Sequence, residues 1–134
     1  MSSAAPVVAV VNTNPDLVET LKHRLEQIGF LAIVLHAHDI KAGLDFETVL
    51  RQHDPRVVVY DVVFPYDRNW RFMDHLRTST AFKGRQFVLT TPNRASVQKV
   101  VGTDETVYEI LGEESDINVV VQAVKEASRA RPTR

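Results

Sequence analysis

Residues 6–11 read Pro-Val-Val-Ala-Val-Val, apolar at every position and mostly β-branched. A strand with one wet face alternates apolar and polar residues. A strand that does not alternate has both faces covered, as in a parallel sheet flanked by helices. The run stops at Asn12-Thr13-Asn14-Pro15, where Asn14 suits a helix cap and Pro15 the first helical position. Leu17, Val18, Leu21, Leu25 and Ile28 then recur at helical spacing, and Gly29 supplies a left-handed stop.

The same unit recurs along the chain. Phe30 to Leu35 is a second apolar strand, and Asp45 can cap a short helix carrying Phe46, Val49 and Leu50 before Asp54-Pro55. Val57 to Tyr60 is a third strand ending at Asp61; after a loop from Val62 to Arg68, Trp70, Phe72, Met73 and Leu76 mark a helix. Phe87 to Thr90 is the fourth strand, with Asn93 capping a helix that carries Val97, Val100 and Val101. Thr106 to Leu111 is the fifth, and Ser115 caps a last helix bearing Ile117, Val120, Val121, Val124 and Ala127. Strands about 20–30 residues apart leave room for a crossover helix each time. The expectation is an α/β domain, a parallel sheet with helices on both faces, over residues 1–128, followed by a basic tail at 129–134.

Composition removes several classes of function. The 134 residues include no cysteine, which excludes disulfides, thiolate metal sites and cysteine catalysis. Lys and Arg number 16 against 17 Asp and Glu, a net charge of -1, so binding of nucleic acid through bulk positive charge is not expected. No apolar run approaches the roughly 20 residues of a membrane helix, and Met1-Ser2-Ser3 does not begin a secretory signal; a cytoplasmic protein is expected.

In open α/β sheets, chemistry sits beyond the carboxyl ends of the strands. That edge collects Asn12, Thr13 and Asn14, then Asp61, then Thr90 and Thr91, then Leu111 and Gly112. A carboxylate there can act as nucleophile, metal ligand or base, or cap the next loop. Val10 to Leu17, an apolar strand running into a Pro-started helix, resembles the opening of the response-regulator receiver domains of bacterial two-component signalling. Val57-Val58-Val59-Tyr60-Asp61-Val62-Val63-Phe64-Pro65 is similar to that family's third-strand motif, with the phosphoacceptor Asp four residues before Pro. Val88-Leu89-Thr90 resembles the segment bearing the family's hydroxyl, and Tyr108 matches its aromatic switch position. The resemblance spans essentially the whole chain. It implies a five-stranded sheet in the order 2-1-3-4-5, Asp61 as phosphoacceptor equivalent, and Thr90 and Tyr108 as the switch pair.

Two departures mark the chain as an atypical member. The acidic pair that would hold Mg²⁺ falls on Asn12 and Thr13, both neutral, and Asn14 does not restore a carboxylate. The lysine position falls on Leu111, inside a stretch from Asp104 to Asp116 with six acidic residues and no Lys or Arg. Asp16, Glu113 and Glu114 are the carboxylates that would have to rebuild a metal site. The resemblance thus implies a stand-alone receiver-like domain with a degenerate site, no cofactor and at best weak Mg²⁺. Action through protein contacts then replaces enzymatic turnover, beyond residual autophosphorylation from small phosphodonors. A histidine kinase or downstream signalling protein is the expected partner, with weak homodimer contact through the fourth helix, fifth strand and fifth helix. A working phosphoacceptor at Asp61 is the first alternative; a flavodoxin-like small-ligand or nucleotide-binding domain is the second. The second lacks a glycine-rich phosphate loop after strand one. His36 and His38 share a face without a third ligand, Ser96 has no paired base, and Trp70 is expected to pack against the sheet with Met73. Tyr66 and Arg68 remain candidates for partner contact.

Overall fold

The computed structural model describes residues 6–12, 15–36, 46–76, 85–102, 107–112 and 117–129. Strands β1 (Val7–Asn12), β2 (Leu31–His36), β3 (Val57–Asp61), β4 (Gln86–Thr91) and β5 (Val107–Gly112) alternate with helices. The helices are α1 (Pro15–Gln27), α2 (Phe46–His53), α3 (Tyr66–Leu76), α4 (Arg94–Val101) and α5 (Ile117–Arg129). The strands form one parallel sheet in the order β2-β1-β3-β4-β5.

Period-two alternation sorts the apolar runs into two cores. Val8, Val10, Val57, Val59 and Val88 face α1 and α5, where they meet Leu21, Leu25, Val121 and Val124. Ala9, Val11, Val58, Tyr60, Phe87 and Leu89 face the other way, onto Leu50 of α2, Trp70 of α3 and Val97 of α4. Trp70 is buried and stands edge-on to Phe87, with ring centroids 6.2 Å apart. That is the packing role expected for it; the side chain of Met73 lies outside the described residues.

Helix ends follow their sequence signals where they are described. Gly29 adopts φ 100°, and the N–H of Phe30 returns to Leu25 O at 3.0 Å, so Phe30 closes α1 and β2 starts one residue later than expected. Asn93 Oδ1 accepts from Ser96 N at 3.1 Å and caps α4. The third helix begins at Tyr66, inside the stretch expected to be loop, because Pro65 O already accepts from Asn69 N. The proposed caps Asn14, Asp45 and Ser115 and the tail from 130 onward lie outside the described residues.

At the amino edge of the sheet, Arg85 ties three segments together. Its Nη1 meets Asp54 Oδ1 and Pro55 O, each at 2.7 Å, and its Nη2 donates to Leu50 O at 3.3 Å. The last turn of α2 and the entry to β3 are thereby fastened to the start of β4. Asp54 sits at φ 50° to make the turn.

Candidate functional site at the carboxyl edge

Strand register brings three of the expected positions into one row. Asp61 is level with Thr90, and Thr90 with Leu111. By alternation each lies on the α1/α5 side, following Val59, Val88 and Glu109 by two residues. Thr90 Oγ1 donates to Asp61 Oδ1 at 2.7 Å, and the N–H of Val62 donates to Thr90 O at 2.8 Å, prolonging the pairing past Asp61. Leu111 ends the row as a buried member of the α1/α5 core. Val11 is level with Tyr60, which sets the backbone of Asn12 beside the end of β3.

Tyr60 and Asn69 brace the site from its other side. Tyr60 is 2% exposed and Asn69 8%. The phenol donates to Asn69 Oδ1 at 2.5 Å. Burial, and secondarily the charge on neighbouring Asp61, push the Tyr60 pKa up to about 12, so the hydroxyl stays a donor. The third helix is thereby held to the residue directly preceding the carboxylate. Phe64, in the connection between them, is 79% exposed and meets Tyr66 edge to face at 5.9 Å.

Solved structures of this architecture are numerous. The non-phosphorylated HemR receiver domain from Leptospira biflexa superposes with a TM-score of 0.73 at 18% identity, covering 96% of this chain and 99% of that one. A sensor protein from Polaromonas sp. JS666 gives 0.72 at 16%, covering 92% and 95%. A CheY-like response regulator receiver domain from Methylobacillus flagellatus gives 0.68 at 18%, covering 92% and 98%. The chain has the receiver-domain fold. No protein-family profile and no curated protein matches its sequence. The fold expected from the residues and the strand order implied by the resemblance therefore hold, on a sequence far from those of its structural neighbours.

A divalent cation wants several carboxylate oxygens in near-octahedral array. Among the described residues, no three His, Cys, Asp or Glu come together. Asp61 already accepts the Thr90 hydroxyl, and the neighbouring Asn12 offers no charge. Thr13, Glu113 and Glu114 lie outside the described residues, as do His38 and the side chains of Asn12, His36 and Tyr108. Asp16 is in the exposed first turn of α1. The backbone of Tyr108 sits where the β4–β5 register slips, between the pairs Phe87–Val107 and Val88–Glu109. Beside it, a groove of about 210 Å³ between α4 and β5 is lined by Arg94, Gln98, Val107 and Glu109 among others. Among the described residues, no helix is long and apolar enough to cross a membrane.

Proposed function

We propose that this receiver-fold chain acts in two-component or phosphorelay signalling as an atypical receiver, through protein contacts and without efficient phosphoryl transfer. The row Asp61–Thr90–Leu111 is the observation that carries the reading. It retains the acceptor and the hydroxyl, hydrogen-bonded to each other, and ends in an aliphatic side chain where a cation would face a phosphoryl oxygen. A unit charge at about 4 Å is worth roughly 4 kcal/mol at an effective dielectric near 20. Each 1.36 kcal/mol is about tenfold in rate, so the missing cation alone slows transfer by about a thousandfold. Mg²⁺ binds weakly for the same electrostatic reason. The groove between α4 and β5, lined by Arg94, Gln98, Val107 and Glu109, supports the α4–β5–α5 side as the surface that meets a signalling partner in the cytoplasm.

The test is incubation with acetyl phosphate and Mg²⁺, and separately with beryllofluoride, on the wild type and on Asp61→Asn. Slow or absent labelling in both proteins is expected. Rapid, stoichiometric labelling lost in Asp61→Asn would establish the working phosphoacceptor instead. A small ligand or nucleotide that raises the melting temperature, with no effect from either phosphoryl probe, would establish the ligand-binding alternative.

A further inference from the structure

The sheet order leaves β2 at one edge, with β1 on its inner side. The N–H of Leu31 donates to Pro6 O at 2.9 Å on that inner side. Backbone groups reverse direction at each residue of a strand. Leu31, Ile33 and Leu35 therefore bond β1, while Ala32, Val34 and His36 turn their N–H and C=O groups outward. Among the described residues, nothing pairs with that outer edge.

Edges of this kind are ordinarily blunted by a charge, a proline or a bulge. Leu31-Ala32-Ile33-Val34-Leu35 has none of these. The opposite edge, β5, has two: Glu109 within the strand and the register slip beside it. Apolar surface also accumulates along β2. Leu31 is 52% exposed and neighbouring Ile28 45%, and Ile33, Val34 and Leu35 are only partly covered by the two cores.

We propose that β2 pairs antiparallel with β2 of a second copy of this chain, joining two five-stranded sheets across a two-fold axis centred on Val34. In that register Val34 of one copy lies opposite Val34 of the other, and Ala32 opposite His36, so each outward N–H and C=O finds a partner. A two-fold contact places the same surface on both sides, so it needs an edge that complements itself. A strand without Asp, Glu, Lys or Arg, apolar from Leu31 to Leu35, does so without repulsion and gains apolar cross-strand pairs. A charged partner would find nothing on this edge to select it. With β5 blunted, one edge alone is offered, so assembly closes at two chains and does not propagate into a fibre.

Sedimentation and residue-resolved amide exchange on the full chain, at low and high protein concentration, test this contact. The mass should approach double, and the amides of Ala32 and Val34 should gain about fivefold protection at a total chain concentration about ten times Kd. The amides of Leu31 and Ile33, already bonded to β1, should change far less. Val34→Pro removes an outward donor without touching a bond to β1 and should give a folded monomer. If that variant does not fold, the alternation of protection in the wild type decides. Exchange at Ala32 and Val34 that ignores concentration overturns the proposal. So does a dimer that survives Val34→Pro, or one whose new protection lies in α4 and β5 and disappears in Tyr108→Ala.

Discussion

Removing one oxygen atom, in Tyr60→Phe, measures how firmly the third helix is held to the strand that carries Asp61. The phenol and the Asn69 amide are both buried and meet at 2.5 Å. A hydrogen bond exchanged for water contributes about 1 kcal/mol net, and a buried acceptor stripped of its donor adds about 1–3 kcal/mol. A loss of about 2 kcal/mol is therefore expected in urea denaturation at neutral pH, with an unchanged m-value. Replacing both partners, as Tyr60→Phe with Asn69→Leu, should recover part of that loss, because no polar atom is then left without its partner. The alkaline limb supplies an independent reading. With the folded pKa raised from 10.0 to about 12, the native state keeps a proton that the unfolded chain releases. The contribution is full below pH 10 and disappears as pH rises towards 12, about 2–3 kcal/mol in all. Tyr60→Phe lacks it, so the gap between wild type and variant should close across that window. A gap below about 0.5 kcal/mol at neutral pH, unaltered by alkali, would refute the reasoning.

Arg85→Met should cost about 2 kcal/mol in the same assay. Most of that comes from its bonds to the Pro55 and Leu50 carbonyls, since Asp54 is well solvated and its ion pair counts for little; a loss under about 0.5 kcal/mol would mean those bonds are replaced by water at no cost. Thr90→Val should lose about 1 kcal/mol, while Asp61→Asn, which keeps an oxygen to accept the Thr90 hydroxyl, should be nearly neutral; a loss above about 2 kcal/mol in Asp61→Asn would point to an ion pair at that carboxylate. Asn12→Asp combined with Thr13→Asp should tighten Mg²⁺ binding by at least about tenfold by calorimetry. No change would show that the end of β1 does not face Asp61.

The architecture was readable because strands covered on both faces admit apolar residues at every position, as 57–60 and 87–89 do. The intervening helices carry stripes such as Leu21, Leu25 and Val124 that the structure buries. Ends were less readable. Phe30 looks like strand but closes the turn of α1, and Tyr66 looks like loop but begins a helix, because each is decided by a backbone hydrogen bond that leaves no compositional mark. The row Asp61–Thr90–Leu111 follows from motif order once the strands are parallel, since register fixes which residues are level. Asn69 could not be found that way. It is one polar residue among several on an amphipathic helix, and its partner is known only when β3 and α3 are packed together. The exposure of Phe64 runs against its residue type and has no local signal either.

The sheet separates its two apolar layers completely enough to act as a thermodynamic partition. Among the described residues, Leu25 and Val124 belong to one buried cluster and Leu50 and Val97 to the other, with the strand backbone between them. A void opened beneath α1 therefore has no direct means of relaxing the wall behind α4. Combined truncations such as Leu25→Ala with Val97→Ala should cost the sum of the separate effects to within about 0.5 kcal/mol. The molecule can then accumulate substitutions on one side of the sheet without changing how the other tolerates them. Each side can drift in sequence almost as a separate protein, while the row of strand ends keeps its register.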